Sequence, residues 1–284
     1  MDKTRELELE ILAARARKSM TDALICAGCG HPGGAFSSID VMVALFFEIM
    51  RIDPARPRWE ERDRFILSKG HSSVGLYAVM SLRGFFDPSM MATFRHEGSP
   101  LGGHPDMHKV PGIEMSTGSL GHGLSVGVGM ALGAKIDKKS QKIFVLMGDG
   151  ETQEGSIWEA AMSASHHKLD NLIGIIDRNH LQIDGFTEDI LALEPYSLKW
   201  KAFGWTIREI DGHNMMEIVQ SLRCVPFQRG KPSLIISRSI KGKGVSFMEN
   251  NPEWHGGAPK GELAEIARRE TSAKLEKLLW QKDH

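Results

Sequence analysis

Three cysteines in 284 residues are too few for a disulfide framework. No apolar run approaches the ~20 residues that a membrane-spanning helix needs. The opening segment MDKTRELELEILAARARKSM is charged from position 2 onward and has no apolar core, so it does not read as a secretory signal. No Lys/Arg run reaches the length of a tail or patch, and the formal net charge is -1, which leaves nothing to favour nucleic acid. These absences point to a cytoplasmic protein with neither a membrane nor a nucleic acid as partner. Cys26 and Cys29 form a CxxC followed closely by His31. A zinc site would want a second pair, and a c-type haem motif needs His directly after the second Cys, where Gly30 stands. The pair reads as small residues at a helix end.

Hydrophobic residues make up 41% and charged residues 25%, so a large α/β domain or two smaller ones would fit the length. Residues 4–27 repeat Leu7, Ile11, Leu12 and Ala16 at helical spacing. Short β-branched runs follow at 65–67, 143–147, 172–176, 205–210 and 234–237. Helical patterns lie between them at 73–83, 121–135, 155–168 and 214–224. Strands alternating with helices predict a mainly parallel sheet covered by helices on both faces, and the nearly all-apolar strands agree with double-sided burial. Residues 262–280 predict a terminal amphipathic helix. With no repeat, low-complexity tract or Pro/Ser linker, residues 1–284 read as one domain.

Glycine is abundant, at 30 residues, and clusters in loops: CGHPGG, SKGH, EGSPLGGHPD, STGSLGHGLSVGVG, GDGETQEG, IKGKG and WHGGAP. Histidines 31, 71, 104, 122 and 255 sit in these loops. Glycine permits close backbone approach to a ligand, so the pattern suggests a polar site lined by strand-end loops. The segment 143–185 carries the most chemistry. A buried strand ends in Gly148-Asp149-Gly150, a helix starts near residues 155–156, and a second strand ends in Asp177-Arg178-Asn179. Asp149 and Asn179 are thus hard oxygen donors just past neighbouring strand ends, which suits Mg²⁺ or Ca²⁺. The helix start behind Gly150 offers N–H groups to an anion, and metal plus helix terminus can hold a diphosphate. An Asp in a glycine-flanked loop is expected to contribute little to core packing.

GDG followed after roughly 28 residues by Asn resembles the thiamine-diphosphate motif. The resemblance extends to GHPGG at 30–34, FILSKGHSS at 65–73, GGHPD at 102–106, STGSLGHGLSVGVGMALG at 116–133, MGDGETQEGSIWEA at 147–160, IDRNHLQIDG at 176–185, IKGKG at 240–244 and HGGAP at 255–259. In that order and at those spacings, the chain resembles the N-terminal, diphosphate-binding portion of transketolase from about residue 4 to residue 260. The resemblance implies thiamine diphosphate and Mg²⁺ as cofactors, with Ca²⁺ or Mn²⁺ able to substitute. Asp149, the Asn179 side chain and the Leu181 carbonyl would ligate the metal. Gly150, His71, His255 and Lys241 would contact the diphosphate. Gly118, Leu120 and Ile183 would contact the rest of the cofactor. His31, His104 and His255 would face substrate oxygens, with pKa values close to working pH. Glu154 and Glu159 would join a hydrogen-bond network between paired sites, Glu154 on the catalytic side and Glu159 on the cofactor side.

A complete transketolase is more than twice as long, and nothing here resembles its pyrimidine-binding domain or the domain after it. The resemblance therefore implies, as partner, a separate C-terminal transketolase subunit. The two would form an α2β2 assembly that moves a two-carbon ketol unit from a ketose to an aldose. The pattern departs from the family at His180, His122 and Ser119; the last two flank the cofactor loop and bear on substrate choice. Two rival readings remain. Another thiamine-diphosphate enzyme, such as a deoxyxylulose-phosphate synthase or the α subunit of a 2-oxo-acid dehydrogenase, shares GDG…N but fits the GHP, GGHP and HGGAP loops less well. A non-catalytic subunit would be signalled by loss of Asp149 or Asn179, and both are present. Gly121-x-Gly123-x-x-x-Gly127 lacks the preceding strand of a dinucleotide fingerprint and reads as helix packing. His166 and His167 read as surface residues, and Asp189, Glu194 and Glu253 as solvated.

Overall fold

The computed structural model describes residues 1–284. Five strands, β1 (Arg64–Leu67), β2 (Ile143–Gly148), β3 (Leu172–Arg178), β4 (Thr206–Asp211) and β5 (Ser233–Arg238), form one sheet in the order β1-β2-β3-β5-β4. Every neighbouring pair is parallel. The helices are α1 (Lys3–Ala27), α2 (Pro32–Ser37), α3 (Ile39–Ala44), α4 (Ser73–Arg83), α5 (His122–Ile136), α6 (Gly155–His166), α7 (Thr187–Ile190), α8 (Tyr196–Ala202), α9 (Met215–Arg223) and α10 (Glu262–Asp283). The expected single α/β domain with a covered parallel sheet is what forms.

Strand alternation builds two cores. Phe144 and Leu146 point into a cluster with α1, α3, α4 and α9, while Ile143, Val145 and Met147 point into a second cluster with α5, α6 and α8. Both faces are apolar because both are covered, and each fully buried large side chain contributes roughly 1.5–3 kcal/mol. The strand expected at 205–210 starts one residue later and lies at the sheet edge, where most of β4 is only partly buried. The glycines of the false dinucleotide pattern serve close packing: a Cβ at Gly127 would stand 2.6 Å from Val145, and one at Gly123 2.9 Å from the Ser68 Cα. Helix α1 ends at Gly28 in the left-handed conformation, and Cys26 and Cys29 are free and exposed around that end. Helix α10 packs along α1 through Leu278 against Ile11 and Ala14. No helix is long and apolar enough to cross a membrane.

Candidate active site

The carboxyl ends of β2 and β3 and the loop after β5 meet at one cavity of about 350 Å³. Its walls include His31, His71, Gly118, Leu120, Asp149, Gly150, Glu154, Asn179, Leu181, Ile183, Lys241 and His255, so most residues singled out in the sequence converge. Two do not line it. His104 stands at the rim, its ring 3.3 Å from where a Cβ of Gly118 would lie. Glu159 is exposed on α6, away from the cavity walls. Ser119 and His122 are also exposed and are not among the residues that line it.

Asp149 is only 2% exposed, which corrects the expectation of a loop residue with little structural role. Its Oδ1 accepts the Gly150 N–H at 2.8 Å, and its Oδ2 accepts the His180 N–H at 2.7 Å and Arg178 Nη1 at 3.2 Å. Burial, and then the charge of Asp177, lifts its pKa to about 6 despite those donors. The helix expected to start near residues 155–156 does so, at Gly155. A 3-10 turn at 150–153 comes first, and the Gly150 N–H is already taken by Asp149. His180 has φ +65°, a conformation that His and Asn tolerate better than most residues. That conformation suits the His at 180, where the pattern departs from the family.

The sequence reading missed the buried polar frame behind these groups. Asn179 Nδ2 donates to Asp177 Oδ2 at 2.9 Å, so its Oδ1 faces the other way and accepts the Leu181 N–H at 3.1 Å. Asp177 is also bonded by Ser37 and Ser239 and by Lys69, whose Nζ lies 2.6 Å away. Burial alone would raise the Asp177 pKa, but Lys69 leads the contacts that hold it below the ordinary carboxylate value. Glu151 ties three loops together, accepting from Ser68 and from the N–H groups of Gly121 and Gly148, each of the latter at 3.0 Å. Arg178 joins Asp149 to Glu188 and Glu194, so Glu194, expected to be simply solvated, is exposed but paired. Ser68 and Lys69, in FILSKGHSS, Glu151, in GDGETQEG, and Asp177 and Arg178, in IDRN, lay inside segments that the sequence had marked, whereas Ser37 and Ser239 did not.

Three histidines from separate loops form the opposite wall. His71 stacks on His255 at 5.2 Å, and His31 meets both edge-on at 5.3 and 5.8 Å. Burial first, then nearby positive charge, lowers His71 to about 2 and His255 to about 3; it also lowers His31 and His104. The His71 and His255 rings are therefore neutral near pH 7, which for His255 corrects the expectation of a pKa close to working pH. Lys241 Nζ donates to the Leu181 carbonyl at 3.0 Å and lies 2.9 Å from His255 Nδ1. With Lys241 as donor, the His255 proton sits on Nε2. Burial leads in lowering the Lys241 pKa to about 8.

The donor set fits a hard divalent cation. The Asp149 carboxylate, Asn179 Oδ1 and Leu181 carbonyl line the same cavity. Asp149 Oδ1, Asn179 Oδ1 and the Leu181 carbonyl each accept one hydrogen bond, which leaves lone-pair capacity on all three. No cluster of three His, Cys, Asp or Glu side chains offers a rival metal site.

Comparison with known proteins agrees with this geometry. The family description "Transketolase, thiamine diphosphate binding domain" matches residues 10–277. An apulose-4-phosphate transketolase subunit from Phocaeicola vulgatus is 48% identical over 270 residues, covering 95% of this chain and 96% of that protein. The 6-deoxy-6-sulfo-D-fructose transketolase subunit of a Clostridium species is 46% identical over 250 residues, covering 88% and 91%. Among solved structures, transketolase from Campylobacter jejuni superposes with a TM-score of 0.86 at 30% identity, covering 95% of this chain and 45% of that one. The chain thus spans less than half of that transketolase but nearly all of the two subunits.

Proposed function

This chain belongs to the transketolase family, as its thiamine diphosphate-binding domain, and we propose that it is one subunit of a two-chain transketolase. The enzyme would transfer a two-carbon ketol unit from a ketose donor to an aldose acceptor, with a separate C-terminal subunit supplying the pyrimidine side of the site in an α2β2 hetero-oligomer. The observation that carries this reading is a single cavity that joins the Asp149, Asn179 and Leu181 oxygens to the histidine wall of His31, His71 and His255. Coverage of more than nine-tenths of two proteins named as transketolase subunits supports the two-chain form. The reading keeps the enzyme in the cytoplasm.

Thiamine diphosphate, when bound, supplies the carbon nucleophile and electron sink for cleaving and remaking the bond beside a ketone. The chain's own residues bind and orient. Asp149, Asn179 and Leu181 would hold Mg²⁺, and Lys241, His71 and His255 would meet the diphosphate. Gly118, Leu120 and Ile183 would lie along the rest of the cofactor. As neutral imidazoles, His31, His104 and His255 would donate hydrogen bonds to substrate oxygens where negative charge develops. Glu154, exposed at the cavity edge, would serve the network to the second site, and Glu159 would join it from outside the cavity. The two named relatives act on a ketose phosphate and a sulfo ketose, so an anionic ketose is the donor class proposed for this chain.

Screening ketose phosphates and ketose sulfonates with the assembled two-chain protein tests the proposal. Saturable, thiamine-diphosphate-dependent transfer to an aldose is expected. Decarboxylation of a 2-oxo acid in place of ketol transfer would contradict it.

A further inference from the structure

Three side chains outside the cavity, Asp40 buried and Arg17 and His213 partly buried, form one chain beneath the loop that carries Lys241. Arg17 on α1 pairs with Asp40 on α3 through two contacts, Nη1–Oδ1 at 2.8 Å and Nη2–Oδ2 at 2.6 Å. Asp40 Oδ2 lies 2.8 Å from Nδ1 of His213, which precedes α9. His213 Nε2 accepts the Ile240 N–H at 2.9 Å. Since Nε2 accepts, the ring proton is on Nδ1 and is donated to Asp40. At the other end, Arg17 Nε donates to the Lys243 carbonyl at 3.1 Å. The chain therefore grips the loop one residue before Lys241 and two residues after it. Between those grips the Lys241 side chain passes Gly33, where a Cβ would stand 2.9 Å from Lys241 Cε, and reaches Leu181 and His255.

We propose that Arg17, Asp40 and His213 are positioning residues that act through the 240–243 loop to aim the Lys241 ammonium at the cofactor's diphosphate. The proposal rests on the reading of Lys241 as a diphosphate contact. A network that served only to join α1, α3 and α9 would need no bond to either flank of Lys241, since these helices already share the first core cluster. Here two of the network's three outward bonds fall on those flanks, and the third runs from Arg17 Nη2 to the Phe36 carbonyl of α2 at 3.2 Å.

The test is calorimetric titration of thiamine diphosphate with Mg²⁺ into the assembled two-chain protein, beside thermal melts. His213→Asn keeps a donor near Nδ1 for Asp40 but is too short to accept from Ile240; His213→Gln places an acceptor near Nε2. His213→Asn should weaken cofactor binding about tenfold, and His213→Gln should recover most of that loss at a similar melting temperature. Repeated on Lys241→Ala, the His213→Asn change should have no further effect, because the coupling runs through that lysine. Asp40→Asn run through the same cycle gives an independent reading if His213→Asn fails to assemble. Equal losses for Asn and Gln at position 213, or a tenfold loss that persists without Lys241, would overturn the proposal. Native affinity in Lys241→Ala alone would instead overturn the assignment of Lys241, and the proposal with it.

Discussion

The Asn179 carboxamide is oriented by Asp177: Nδ2 donates to Asp177 Oδ2 at 2.9 Å, which leaves Oδ1 toward the cavity side with Leu181. Asp177 is itself fixed by Lys69, Ser37 and Ser239. Partners of this kind around a metal ligand typically carry about 10–100-fold in metal affinity. Asp177→Asn should therefore weaken Mg²⁺ binding by about that factor, while saturating metal restores most of the turnover. Metal titrations of the assembled enzyme check this, and unchanged affinity would remove Asp177 from that role.

Asp149→Ala should abolish metal-dependent cofactor binding. Its donors, the buried Arg178 guanidinium and the partly buried N–H groups of Gly150 and His180, would lose their acceptor. The substitution should therefore also cost about 1–3 kcal/mol of stability, more than its loop position in the sequence suggests. Calorimetry with thiamine diphosphate and Mg²⁺, beside a denaturation curve, gives both numbers.

His104 and His255 should separate kinetically. His104→Ala should lower kcat/KM by about 10²–10³ with cofactor affinity unchanged, as expected for a lost oxyanion donor. His255 lies 2.9 Å from Lys241, so His255→Ala should lower kcat/KM and weaken cofactor binding together. Near-normal kcat/KM for the donor in His104→Ala would take that residue out of the active site.

Asp40 gives a pH dependence. Burial alone would raise its pKa, but Arg17 and then His213 hold it at about 2, below the ordinary value of 3.8. A carboxyl with a depressed folded pKa stabilises fully above its unfolded value and loses that stabilisation as pH falls through its folded value. About 2 kcal/mol should disappear between roughly pH 4 and pH 2. Asp40→Asn should flatten this part of the stability–pH curve. An equally steep acid limb in the mutant would contradict the assignment.

Much of the fold was legible because the inner strands are apolar on both sides, as in Ile143–Gly148, and because Lys3–Ala27 places small and apolar residues such as Leu9, Ala13, Ala16, Met20 and Ala23 at helical spacing. The short helices at 32–37 and 39–44 were not. Each has six residues, too few to show a period, and both are buried all round. The cavity walls were legible through the resemblance of the glycine loops. The buried frame of Lys69, Glu151 and Asp177 was not, because a charged residue met in sequence looks solvated until its partners from other loops are known. The same holds for the histidine pKa values: His71 is lowered by its burial and by Lys69, His255, His31 and Lys241, which come together only in the folded chain.

The central claim is that this chain holds the metal–diphosphate half of a ketol-transfer site and depends on a second polypeptide for the other half. The most direct measurement compares ketol transfer by the purified chain, by its purified C-terminal partner and by the two mixed, with thiamine diphosphate and Mg²⁺ saturating and host transketolase absent. No turnover is expected from either chain alone, and saturable turnover is expected as the second is titrated into the first. Robust ketol transfer by this chain alone would contradict the claim.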